Sequence, residues 1–131
     1  MPQPSPEPPT WVDRALRAGS VVLALAIVGL SLGPAPEEPT FDVSDKVIHG
    51  LSYFALTLAV LLAWVGRPGR LAQPLQIALS VTLAIVSGGL LVELAQSLVS
   101  RETEFLDALA NALGAGLALA LWFVLMRPAP S

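Results

Sequence analysis

Four long apolar stretches dominate the chain, and short runs rich in proline, glycine or charge separate them. They cover about Ala15–Gly33, Val47–Val65, Leu75–Leu94 and Leu106–Met126. Each is near the ~20 residues that carry a helix across the hydrocarbon of a bilayer. In hydrocarbon every backbone amide needs a partner within its own segment, so stretches this long and apolar predict helices. The punctuation agrees. "GPAPEEP" closes the first, "GRPGR" the second and "RPAP" the fourth, and Pro74 sits where a first-turn proline would start the third. Ahead of them "MPQPSPEPP" carries five prolines in nine residues, which predicts an extended, unfolded arm over residues 1–13. Residues 14–127 then form one four-helix domain, and 128–131 a tail.

Composition changes the solvent that this fold must suit. The 131 residues are 54% hydrophobic and 13% charged, with mean hydropathy +0.70, against about one-quarter charged in an ordinary soluble domain. The expected fold class is therefore an all-α integral membrane protein, a bundle of four transmembrane helices. The seven Lys and Arg set its direction. Arg14, Arg17, Arg67, Arg70 and Arg127 fall on one side, Lys46 and Arg101 on the other. The basic side is the cytoplasmic one, so both termini are expected to be cytoplasmic. A cleaved signal peptide is the rival reading of the first helix, although Pro34 and Pro36 make an awkward cleavage region. There is no cysteine and no basic cluster, so thiol chemistry, disulfides and nucleic-acid binding are not expected.

Topology gathers the unusual polar residues into one layer at the outer interface. Asp45, His49 and Tyr53 follow i, i+4, i+8 spacing and share a face of helix two. Glu93 and Gln96 lie near the outer end of helix three, Asp107 and Asn111 at the outer start of helix four, and Arg101 between them. The cytoplasmic side offers only flanking arginines. Helices two and three are joined by a short connection and are expected to be neighbours. Each polar residue also has a plainer role. Asp45 and Asp107 suit the positive start of a helix, Lys46 can snorkel, and Tyr53 can join an aromatic belt. Asn111 can serve as a packing hydrogen bond. Glu93, inside "SGGLLVELAQSL", is harder to explain away, because a carboxylate at this depth must face the bundle or a wet cavity. Gly88, Gly89, Gly114 and Gly116 read as surfaces for close helix packing.

"DKVIHGLSYFAL" and the later "ELAQSLVSRETEFLDALANALGAGLAL" resemble the VanZ-like family of small bacterial membrane proteins. The likeness covers about residues 44–121. Its pattern, Asp-Lys-x-x-His with a following Tyr, Glu-x-x-Gln, an Arg, and Asp-x-x-x-Asn-x-x-Gly, falls on Asp45, Lys46, His49, Tyr53, Glu93, Gln96, Arg101, Asp107, Asn111 and Gly114. The resemblance implies a multi-pass protein of the bacterial cytoplasmic membrane. It also implies a link to the cell envelope, since the founding member is associated with reduced susceptibility to the glycopeptide teicoplanin.

Three readings of the layer stand open. As a binding site, Asp45, Lys46, His49, Tyr53, Glu93, Gln96, Arg101, Asp107 and Asn111 would hold a lipid headgroup, an envelope precursor or a glycopeptide. As an enzyme, Glu93 and His49 would be the acid/base pair acting on a lipid-linked or phosphorylated substrate. As structure, the layer would fix the bundle or a partner protein. The expected partner is a membrane lipid or lipid-linked envelope molecule, and no cofactor is expected. A metal held by His49, Glu93 and Asp107 would have only one histidine and no thiolate, a poor transition-metal set.

Overall fold

The computed structural model of the chain describes residues 9–33, 43–68, 74–98, 105–128 and 130. It contains four helices, α1 (Trp11–Leu32), α2 (Val43–Val60, continuing through a π-helical turn at Leu61–Val65), α3 (Leu75–Leu98) and α4 (Phe105–Leu125). All four are long and apolar enough to cross a membrane.

Two helices begin four residues earlier than their hydropathy predicts. Helix α1 takes in Trp11–Asp13 because "TWVD" is a capping box. The Thr10 hydroxyl accepts from Asp13 N at 3.3 Å, and Asp13 Oδ2 accepts from Thr10 N at 2.8 Å. Two end groups of the helix are satisfied locally. Helix α2 starts at Val43, which places Asp45 in its first turn, where a carboxylate suits the helix dipole. Pro74 stands just before α3, and its carbonyl accepts from Ile77 N at 2.9 Å.

The order of the helices around the bundle departs from the expectation. Helix α2 packs chiefly against α4 and then α1, while α3 packs against α4 and α1. Helices α2 and α3 thus lie on a diagonal of the bundle and meet at isolated points, at Tyr53 with Gly89 and at the π-helical turn with Ala78. A close approach of two backbones decides this. A Cβ at Gly114 would overlap the carbonyl oxygen of Gly50 and lie 3.1 Å from Phe54 N, so α2 and α4 meet where neither residue has a side chain. Ala115 and Ala118 are fully buried in line with Gly114. Across the diagonal, the Tyr53 ring fills the gap in front of Gly89, where a Cβ would come within 2.8 Å of it. Gly88 and Gly116 face open space and have no part in the packing.

The outside and inside of the bundle are reversed relative to a soluble protein. Leu25, Leu30, Ile48, Leu83, Leu91 and Leu98 are exposed, whereas Asp13, Ser20, Thr57, Thr82, Glu93, Gln96, Asp107 and Asn111 are buried. Lipid as solvent accounts for both halves of that distribution.

One end of the bundle is held by a network that the sequence reading missed. Arg67 Nε donates to buried Asp13 at 3.0 Å, and Arg67 Nη2 to Thr10 at 3.1 Å. Arg17 donates to the Ala63 carbonyl at 3.3 Å and lies 4.6 Å from the Trp64 ring centroid. Trp122 Nε1 donates to the Gly66 carbonyl at 2.7 Å. The π-helical turn shifts its hydrogen bonds by one residue, as Gly66 N to Leu61 O at 2.9 Å shows. Side chains of α1 and α4 then bond carbonyls in and just after that turn, above a core of Leu61, Val65, Ala78 and Trp122. These arginines are fasteners as well as flanking charges.

Candidate functional site

At the opposite end, the starts of α2 and α4 bring four ionisable groups together. Both helices run in the same direction from this end, so the first turn of one meets the first turn of the other. Lys46 Nζ donates to Asp107 Oδ1 and lies 3.7 Å from Asp45 Oδ2. His49 Nε2 lies 3.8 Å from Asp45 Oδ1 and 3.9 Å from Asp107 Oδ2. The side chains of Lys46, His49 and Asp107 are mostly covered, whereas Asp45 is 51% exposed. With the imidazole neutral the four groups sum to one negative charge.

The remaining candidates occupy the same end at different places. Tyr53 is buried one turn below His49. Its contact with Gly89 fixes the register between α2 and α3. Glu93, one turn beyond Gly89, is buried at about the depth of His49. Among the described residues His49 makes its ion contacts with Asp45 and Asp107. Gln96 faces away from this group. Its Nε2 donates to the Ser31 carbonyl at 2.7 Å and ties the end of α3 to the end of α1. Arg101 lies outside the described residues.

Asn111 is buried one turn below Asp107, and its Oδ1 has no partner among the described residues. Thr57 Oγ1 is in the same position. Sequence reasoning passed over Thr57, although it continues the Asp45, His49, Tyr53 series by another four residues, and that repeat was the signal available.

Ligand-type atoms of Asp45, His49 and Asp107 all lie within 4.8 Å of one another. The set expected from the sequence is His49, Glu93 and Asp107; the geometry keeps His49 and Asp107 and has Asp45 in place of Glu93. The ammonium of Lys46 already sits on Asp107, so the carboxylates here have a protein cation for a counter-ion.

An apolar groove leads away from the cluster. Its volume is about 460 Å³, and Val47, Leu51, Phe54, Leu113 and Leu117 form its walls. Gly50 and Gly114 lie at its floor, and Lys46 lines it as well. Val47, Leu51, Leu113 and Leu117 are all exposed, so the groove opens on the outward surface of the bundle. Chemically, the site offers a cation, two carboxylates and an imidazole beside a channel for hydrocarbon. Comparison of the chain with protein-family models, curated proteins and solved structures returns no match.

Proposed function

We propose that the chain is a VanZ-like, multi-pass protein of the bacterial cytoplasmic membrane that binds the headgroup of a lipid or lipid-linked envelope molecule at the outer interface. The observation that carries this reading is the junction of the Lys46–Asp45–His49–Asp107 cluster with the apolar groove. An amphiphile has the same division, with a charged head and a hydrocarbon tail. Three separate pieces of the VanZ-like pattern contribute to this end of the bundle, which favours a shared role for them. The His49 surroundings favour binding over acid/base catalysis with Glu93, because the imidazole meets other carboxylates.

The orientation belongs to the same proposal. In the sequence five of the seven Lys and Arg belong to the segments of the end opposite the cluster, and that bias supports a cytoplasmic position for it. Single cysteines at Glu38 and Gly69 are expected to respond oppositely to an impermeant thiol reagent, with Glu38 labelled from outside. Labelling at Gly69 in intact cells would reverse the bundle and put the cluster on the wrong face.

Lipids that survive gentle detergent extraction test the binding itself. Wild-type protein is expected to carry some species above their share of the bulk membrane. His49→Ala should lower that enrichment about tenfold, the equivalent of one charge-assisted hydrogen bond, with little change in melting. A bulk-like lipid profile in both proteins would leave the cluster as an interhelical network only.

A further inference from the structure

Resting on that reading, we infer that the occupant is a phospholipid with a primary-amine headgroup, held as a phosphoethanolamine zwitterion with one acyl chain in the α2–α4 groove. The groove sets the tail. It follows α2 from Lys46 to Phe54, which at 1.5 Å per residue is about 12 Å. That is close to the depth of one leaflet in a hydrocarbon core of about 30 Å. Apart from Lys46 the walls are aliphatic or aromatic, and Gly50 and Gly114 line the groove between them. A saturated chain lying there contacts Val47, Leu51, Leu113 and Leu117 and covers the Gly50–Gly114 crossing.

The cluster at the end of the groove sets the head. Among the described residues two carboxylates face one ammonium and one imidazole, so the charge of this cluster leans negative. A purely anionic headgroup would bring its phosphate against Asp45 and Asp107, with Lys46 the cation among the described residues that offsets them. A quaternary ammonium brings no N–H donor to a carboxylate. Phosphoethanolamine supplies both complementary parts. Its ammonium donates to Asp45, the one carboxylate of the cluster that is half exposed. Its phosphate then lies toward Lys46, the cation that lines the groove beside Asp107. Both contacts are charge-assisted, and both lie at the mouth of the channel that takes the chain.

The test uses full-length protein incubated with equimolar phosphatidylethanolamine, phosphatidylglycerol and phosphatidylcholine of matched chains, with retained lipid read by native mass spectrometry. Phosphatidylethanolamine is expected to be retained about tenfold over the other two. Asp45→Asn leaves the Lys46–Asp107 pair in place and should bring the three headgroups to parity. Val47→Trp fills the mouth of the groove and should lower retention of all three together, with Leu51→Trp as the substitute if the first variant melts early. Preferential retention of phosphatidylglycerol that Lys46→Gln abolishes would overturn the amine assignment and leave the headgroup-binding reading in place. Retention that is equal among headgroups and unchanged in every variant would overturn both.

Discussion

Gly114→Ala is expected to destabilise the bundle by about 3 kcal/mol in detergent melting, while Gly116→Ala leaves it unchanged or slightly more stable. The two glycines lie two residues apart on α4 and are chemically identical. What separates them is that a Cβ at Gly114 overlaps the Gly50 carbonyl oxygen, whereas one at Gly116 meets nothing within 4 Å. Neither backbone at the crossing has a flexible end that can yield, so α2 and α4 must move apart. Overpacking of this kind costs typically 1–3 kcal/mol and occasionally more. At Gly116 the only change is in helix propensity, worth at most about 1 kcal/mol in favour of alanine. Gly88→Ala should resemble Gly116→Ala. Gly89→Ala should fall between, because its Cβ meets the Tyr53 ring, a side chain with limited room to tilt. Matching melts for Gly114→Ala and wild type would mean that α2 and α4 do not cross at these residues.

That crossing also explains which parts of the fold could be read ahead of the structure. The four helices were legible because hydrocarbon leaves an apolar stretch of this length little other choice. Their starts were less so. The capping box at Thr10 and Asp13 is a local signal that the prolines before it obscured. The π-helical turn at Leu61–Val65 has no local signal in "LLAWV", since its stabilising partners, Arg17 and Trp122, come from other helices. Helix neighbours were misjudged for a related reason. A short connection says which helices follow each other, but the closest packing goes to the pair whose small residues coincide, Gly50 with Gly114.

The site divides along the same line. Asp45, His49 and Tyr53 form a series fixed by helical spacing, and that spacing is written in the sequence. Which carboxylates face His49 depends on which helix adjoins α2. With α4 there and α3 across the bundle, the imidazole meets Asp107 as well as Asp45 of its own helix. Gln96 is grouped with Glu93 by its i, i+3 spacing and the Glu-x-x-Gln pattern, and neither says that its amide reaches α1. The network of Asp13 and Arg67 escaped notice because 54 residues separate them and neither is unusual near a helix end.

Removing the Lys46 side chain is the substitution expected to cost most within the site, about 3–5 kcal/mol for Lys46→Ala. The side chains of Lys46 and Asp107 are 17% and 12% exposed, so the pair is largely withdrawn from solvent. Breaking such a pair leaves a buried charge without compensation, and that is the source of the cost. Here the charge left behind is Asp107, with Asp45 as a second carboxylate on the far side of His49. Asp107→Ala should cost less, because Lys46 retains Asp45 at 3.7 Å. Replacing both members, as in Lys46→Met with Asp107→Leu, should restore melting to within about 1 kcal/mol of wild type, since an apolar pair of similar volume avoids the desolvation penalty altogether. The double variant therefore isolates function from folding. If the cluster exists to hold a headgroup, this protein melts normally and has lost its enrichment of lipid. If the cluster serves only to join α2 to α4, the double variant keeps the lipid profile of the wild type. A Lys46→Ala protein that melts with wild type would show a solvated pair and remove the premise for either role.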